Sequence, residues 1–162
     1  MVDKNDVAKY QQLIAKAADA ALTEEELVEF NRLGIGQGLS GLDATLQARY
    51  LQVSPEGVRM TVEVTQAHTQ PWGLANGGLF AALGESAGST AGFVAAGGKR
   101  PVVGANNNTD FYRPAHPGDV ITSEARPIHL GRTSQVWEIR HEANGKLLSR
   151  TNLRLAVLAE FE

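Results

Sequence analysis

Between Leu79 and Gly98 the chain reads LFAALGESAGSTAGFVAAGG, with Glu85 as its one charged side chain and no Lys, Arg or Asp. The pattern predicts a helix over about 76–96, and a helix that is apolar all round belongs in a core. The rest of the chain must then supply walls around it. Gly84, Gly88 and Gly92 recur at every fourth position, which places them in one stripe on the helix surface. Each glycine costs about 1 kcal/mol relative to alanine inside a helix, roughly 3 kcal/mol for the set. Close packing of the stripe against a sheet or a second helix would offset that loss.

On both sides of this helix the hydrophobic period changes to two. ATLQARYLQV (44–53) and VRMTVEVTQ (58–66) alternate, and Ser54-Pro55-Glu56-Gly57 between them reads as a turn joining antiparallel strands. Three or four strands follow the helix, in PVVGANNNTDFY, DVITSEARPIHL, TSQVWEIRHE and KLLSRTNLRLAVL, the last two linked by the hairpin pair Asn144-Gly145. Two strands, one apolar helix and a run of strands predict an α+β architecture, an antiparallel sheet curled around the helix. A chain of 162 residues, 43% hydrophobic, suits one such domain. Ahead of it, residues 3–22 have helical spacing, and Thr23 with Glu26 forms a capping box for a second helix over 24–33. Gly34, Gly36, Gly38 and Gly41 then break the pattern. This front end fits a lid, an oligomer contact or a brace equally well.

Several function classes fall away on composition. The net charge is −3, with no cluster of Lys and Arg, which argues against nucleic acid or an anionic membrane as partner. There is no cysteine, so disulfides, thiolate-bound zinc and thiol nucleophiles are excluded. No spacing of His, Asp or Glu suggests a metal site. The polar start MVDKNDVAKYQQL lacks the apolar segment of a secretion signal. Glu85 and five glycines make 79–98 a poor membrane span. A cytoplasmic protein that does not engage membranes is expected.

Glu85 then needs an explanation, because an unpaired carboxylate inside a core costs several kcal/mol, roughly. It either lies on an exposed strip of the helix or is a hydrogen-bonded carboxylate set to act as nucleophile or general base. Ser89, four residues on, shares its face. At the helix start, Asn76-Gly77-Gly78 leaves backbone N–H groups at the positive end of the helix dipole, where they can polarise a carbonyl. Gly77 and Glu85 are eight residues apart, about 12 Å along a helix. One carbonyl meets both only if two such helices pass each other antiparallel, as a two-fold dimer would arrange.

HTQPWGLANGGLFAALGESAGSTAGF, VVGANNNTDFYRPAHPGD and HLGRTSQVWEI together resemble the hotdog-fold acyl-CoA thioesterases. The similarity is greatest to the branch that includes the 4-hydroxybenzoyl-CoA and 1,4-dihydroxy-2-naphthoyl-CoA thioesterases, of the phenylacetate-type superfamily. It implies a hotdog domain over 42–159, a sheet wrapped around a long central helix; residues 1–40 lie outside the resemblance and, from their helical spacing, form an N-terminal helical extension. It implies an acyl-CoA hydrolase that needs no cofactor, CoA being part of the substrate. Its minimal active unit would be a homodimer, commonly paired into a homotetramer. On the matching positions Glu85 is the catalytic carboxylate and Ser89 the hydroxyl that helps hold the water or the carboxylate. The Gly77 N–H stabilises the oxyanion, and Gln70 orients the carbonyl or the water. Asn76 and Gly78 stand in the substrate-binding turn, where the branch usually has His-Gly-Gly; an asparagine donates a hydrogen bond but does not titrate near neutral pH. Phe111-Tyr112 replaces a histidine pair common in the family.

Trp72 and Phe93 are either plain core or the lining of an aryl-acyl pocket. Arg113 and Arg132 are either solvated charges or ligands for the phosphates of CoA. His68 and His129 are expected in structural or loop positions. Two alternatives to hydrolysis stay open: an acyl-CoA-binding sensor without turnover, and a hydratase or dehydratase on the same fold. The second usually pairs a histidine with the carboxylate at the helix start, and Asn76 stands there instead.

Overall fold

The computed structural model describes residues 3–36 and 41–160. The apolar run forms α4, Gly77–Ala95, and the Asn76 carboxamide oxygen caps it by accepting the Gly78 N–H at 2.8 Å. Around it lies one antiparallel sheet of β1 (Arg49–Ser54), β2 (Gly57–Glu63), β3 (Val102–Phe111), β4 (Val120–Leu130), β5 (Ser134–Ala143) and β6 (Lys146–Val157). The strands run in the order β1-β2-β4-β5-β6-β3, so β1 and β3 form the two edges. Alternate residues of β5, from Gln135 to Ala143, are buried against the helix side. This is the hotdog arrangement, with α4 in contact with every strand.

The glycine stripe has a defined counterpart. A Cβ at Gly84 would overlap Thr151, one at Gly88 would overlap Leu153, and one at Gly92 would overlap Leu155. Four helical residues advance about 6 Å and two strand residues about 6.6 Å, so every fourth position of α4 meets every second position of β6. The two patterns stay in step for two turns of helix, and the bare helix backbone comes down onto the β6 side chains Thr151, Leu153 and Leu155 with no helix side chain between.

The front end is α1 (Lys4–Ala17), α2 (Glu24–Asn31), a π-type turn over Arg32–Gly36 and a short α3 (Gly41–Thr45). Gly38, one of the expected pattern-breaking glycines, lies outside the described residues. Ile14, Ala17 and Phe30 are fully buried. Tyr10 stacks on Phe30 at 4.6 Å, and the edge of Phe30 meets Tyr50 of β1 at 5.0 Å. The Thr23 and Glu26 capping box is present at the start of α2. The extension therefore shares one core with the sheet and helix.

Two boundaries differ from the sequence reading. The expected helix over 3–22 stops at Ala17, and the Leu22 N–H instead donates to the Val53 carbonyl at 3.0 Å. The chain leaves the helix to meet β1. The first strand, expected from residue 44, begins at Arg49. Leu46 N–H bonds to Leu42 O in a helical turn, and Gln47, at φ 56°, ends that turn in the left-handed region. Strand-like alternation over so short a stretch does not exclude a single helical turn. The buried Asp43 of this turn accepts the Ser86 hydroxyl of α4 at 2.6 Å, which ties the turn to the central helix.

Candidate active site

The predicted site residues fall into two clusters along α4. The first surrounds Glu85. Its side chain is half-buried and faces β3, where Asn107 Nδ2 donates to Glu85 Oε2 at 3.0 Å and to the Ala81 carbonyl at 3.0 Å. A Cβ at Gly104 would overlap Glu85 Oε1, so the carboxylate lies directly on the backbone of β3. The β3–β6 register slips between Gly104 and Asn106 at that place. A β-bulge beside a carboxylate is a common way to aim a functional group. Ser89, one turn further along, lines a cavity of about 270 Å3 with Tyr10, Ile14, Thr90, Phe93 and Val102. Burial pushes the Tyr10 phenol well above its ordinary pKa, so this side of the cavity carries no charge.

The second cluster lies at the helix start. Gln70, Gly77, Phe80, Phe111, Tyr112 and Arg113 line an open depression of about 540 Å3. Because the Asn76 side chain takes the Gly78 N–H, the Gly77 N–H is the one at the helix start that finds no acceptor among the described residues. Phe111 covers Gly77 so closely that a Cβ there would stand 2.8 Å from the ring. Phe111 is 57% exposed, with its ring tilted toward Phe80 at 6.1 Å. The Arg113 guanidinium donates to the Leu147 carbonyl at 2.7 Å across the depression's rim.

Ser89 and Phe93 share one cavity, with Glu85 one helical turn before Ser89 but not among its lining, and Gln70, Gly77 and Arg113 share the depression at the helix start. Asn76 and Gly78 form the cap itself. Trp72, 83% exposed, and Arg132, exposed in the β4–β5 turn, stand outside both clusters. His68 is buried, and its Nδ1 accepts the Thr65 N–H, a structural placement. Asn107 and Gly104 carry no local sequence signal that marks them as partners of Glu85. The run Asn106-Asn107-Asn108 was visible, but only the bulge decides which asparagine turns toward the helix. The clusters stand about 12 Å apart along α4. Residues 103–108 of the edge strand β3, next to Glu85, are exposed. Among the described residues no helix is long and apolar enough to cross a membrane.

Residues 73–148 match the family model described as Thioesterase superfamily. The chain is 33% identical to the 1,4-dihydroxy-2-naphthoyl-CoA hydrolase of Escherichia coli over 133 residues, which span 82% of this chain and 94% of that one. It is 43% identical to the proofreading thioesterase EntH of Klebsiella pneumoniae over 90 residues, 55% of this chain and 65% of the relative. Among solved structures, a thioesterase of Haemophilus influenzae superposes with a TM-score of 0.75 at 31% identity, covering 84% of this chain and 92% of the other.

Proposed function

This chain belongs to the thioesterase superfamily and is a thioester hydrolase, and from that premise we propose that it cleaves an aromatic acyl-CoA at a site shared by two copies of the chain. The observation that carries this reading is the separation of the two clusters on one helix. Glu85 has the geometry of a reacting carboxylate, and Gly77 has the free N–H that an oxyanion needs. A single chain holds them about 12 Å apart. Two copies joined along the exposed edge strands β3 would continue the antiparallel sheet and set their α4 helices side by side in opposite directions. Each Glu85 would then approach the partner's helix start.

In this arrangement the thioester carbonyl oxygen accepts the Gly77 N–H, helped by the helix dipole. Gln70 orients the carbonyl or the water beside it. Glu85 of the other copy either takes a proton from a water that adds to the carbonyl carbon or adds to that carbon itself. In both routes the C–S bond breaks as the tetrahedral intermediate collapses, and the CoA thiolate leaves and is protonated; in the second the acyl group stays on Glu85 as a mixed anhydride, which a water then hydrolyses to the free acid and the regenerated carboxylate. Ser89 holds the water or the carboxylate. The acyl group enters the cavity beside Phe93 and Val102, whose neutral, partly aromatic wall suits a flat ring. Arg113 at the outer rim meets a phosphate of CoA.

Thiol release by mixed variants tests the shared site. Glu85→Ala removes the carboxylate. Gly77→Pro removes the N–H at a helix position that tolerates proline, and Asn76 before it already has the extended backbone, ψ 138°, that proline requires. Each variant alone is expected to be inactive on benzoyl-CoA. After joint unfolding and refolding at equal amounts, half of the dimers carry one intact site each, and about a quarter of wild-type activity returns. No recovery would place both groups in the same chain's site and overturn the proposal.

A further inference from the structure

Asn107, which holds Glu85, is the last link in a file of hydrogen bonds that starts in the core. Ser123 Oγ lies 2.8 Å from His141 Nδ1, and His141 Nε2 lies 3.0 Å from Thr151 Oγ1. Thr151 Oγ1 lies 2.8 Å from Thr109 Oγ1, which lies 2.8 Å from Asn107 Oδ1. Asn107 Nδ2 ends the file on Glu85 Oε2. Strands β4, β5, β6 and β3 each contribute, and both Ser123–His141 and Thr109–Thr151 are directly opposed pairs in the sheet. Ser123, His141 and Thr151 are fully buried.

The direction of every bond follows from the Asn107 end. Its amide faces two acceptors, the Glu85 carboxylate and the Ala81 carbonyl, so the NH2 group must point there and the oxygen must point to Thr109. The single hydroxyl proton of Thr109 is therefore given to Asn107, and Thr109 can only accept from Thr151. Thr151 has then given its own proton and must accept from His141 Nε2–H. A neutral imidazole with its proton on Nε2 accepts at Nδ1, and the Ser123 hydroxyl supplies that bond. Burial, which pushes the His141 pKa down to about 3, keeps the ring neutral.

We propose that Ser123, His141, Thr151 and Thr109 form a positioning relay, in which four strands of the sheet fix the Asn107 amide as a donor and so hold the Glu85 carboxylate in its reactive orientation. Every donor in the file points toward the carboxylate, so each bond polarises the next in the same sense. Without the Thr109 hydroxyl the Asn107 oxygen loses its donor. The amide, on an exposed strand, is then free to turn to water and release Glu85. The role rests on the reading of Glu85 as the reacting carboxylate.

Two measurements test it. Thr109→Val keeps the branched shape of the side chain and removes the proton, while Thr109→Ser keeps the proton. With benzoyl-CoA, Thr109→Val is expected to lower kcat about tenfold or more with KM little changed, and Thr109→Ser to restore most of it. Nitrogen-15 NMR of the wild-type protein is expected to show His141 neutral and protonated at Nε2, a readout that needs no variant to fold. An Nδ1–H tautomer, or a folded Thr109→Val with wild-type kcat beside a dead Glu85→Gln, overturns the relay and leaves the catalytic reading standing. A Glu85→Gln variant with wild-type kcat overturns the catalytic reading, and the positioning role with it.

Discussion

Two faces of α4 differ in how their burial is completed. The face carrying Gly84, Gly88 and Gly92 is closed by the chain's own β6, with no room for a Cβ at any of the three. The face carrying Glu85 and Ser89 looks toward β3, an edge strand whose middle residues are exposed. On the first face every contact is apolar or sterically tight, and the chemistry of a side chain would only interfere. On the second a carboxylate is tolerated because Asn107 and the β3 bulge give it a partner and a place. One helix can be closed tightly on one face and carry a partnered carboxylate on another when the two faces meet different strands, one interior to the sheet and one at its edge.

The largest effect expected is on the open face. Glu85→Gln keeps the shape of the side chain and removes the charge, and should lower kcat on an aryl-CoA by about 10³-fold or more. Its urea midpoint should stay near that of the wild type. A variant that loses stability along with activity would show that Glu85 belongs to the core as much as to the site, and would erase the contrast between the faces. The closed face should respond in the opposite way. Gly88→Ala places a methyl group against Leu153, and overpacking of this kind costs about 1–3 kcal/mol. The gain in helix propensity, about 1 kcal/mol, offsets part of it. A lowered Tm with KM unchanged is expected; a raised Tm would mean that the stripe has slack.

A further effect, read as a pH dependence, concerns His141, which lies against Phe80 at 5.6 Å and is bonded to Ser123 and Thr151, none of them charged. Its folded pKa is depressed to about 3 by burial, whereas the unfolded chain titrates near 6.5. Below about pH 6.5 the unfolded state therefore binds a proton that the folded state refuses. The stability tied to neutral His141 is full above that pH and is lost as pH falls toward 3, by on the order of 1 kcal/mol per unit. Urea denaturation at pH 7 and pH 5 should show the loss, and His141→Gln should flatten it. An unchanged slope in that variant would place the acid sensitivity elsewhere.

Much of this was legible in the chain itself. The apolar run, its glycine spacing and the change to period two define a sheet around a helix, because burial of a helix without a polar face leaves few other solutions. Glu85 stood out because it is the one charge in that run, and Gly77 because a helix start exposes N–H groups whatever surrounds it. The resemblance placed Gln70 and Ser89. His141 and Thr151 had a faint signature, as polar residues on the inward, alternating face of β5 and β6.

The sequence by itself determined the composition of the core helix, the strands that must cover it and the identity of its carboxylate, since these depend on local periodicity and on which side chains resist burial. The tertiary structure alone decided that β3 lies at an edge, that a bulge turns Asn107 rather than its neighbours toward Glu85, and that four hydroxyl and imidazole groups from separate strands line up behind it. Strand order and register are set by contacts between residues far apart in the chain. A hydrogen-bonded file across four strands exists only after those contacts have formed.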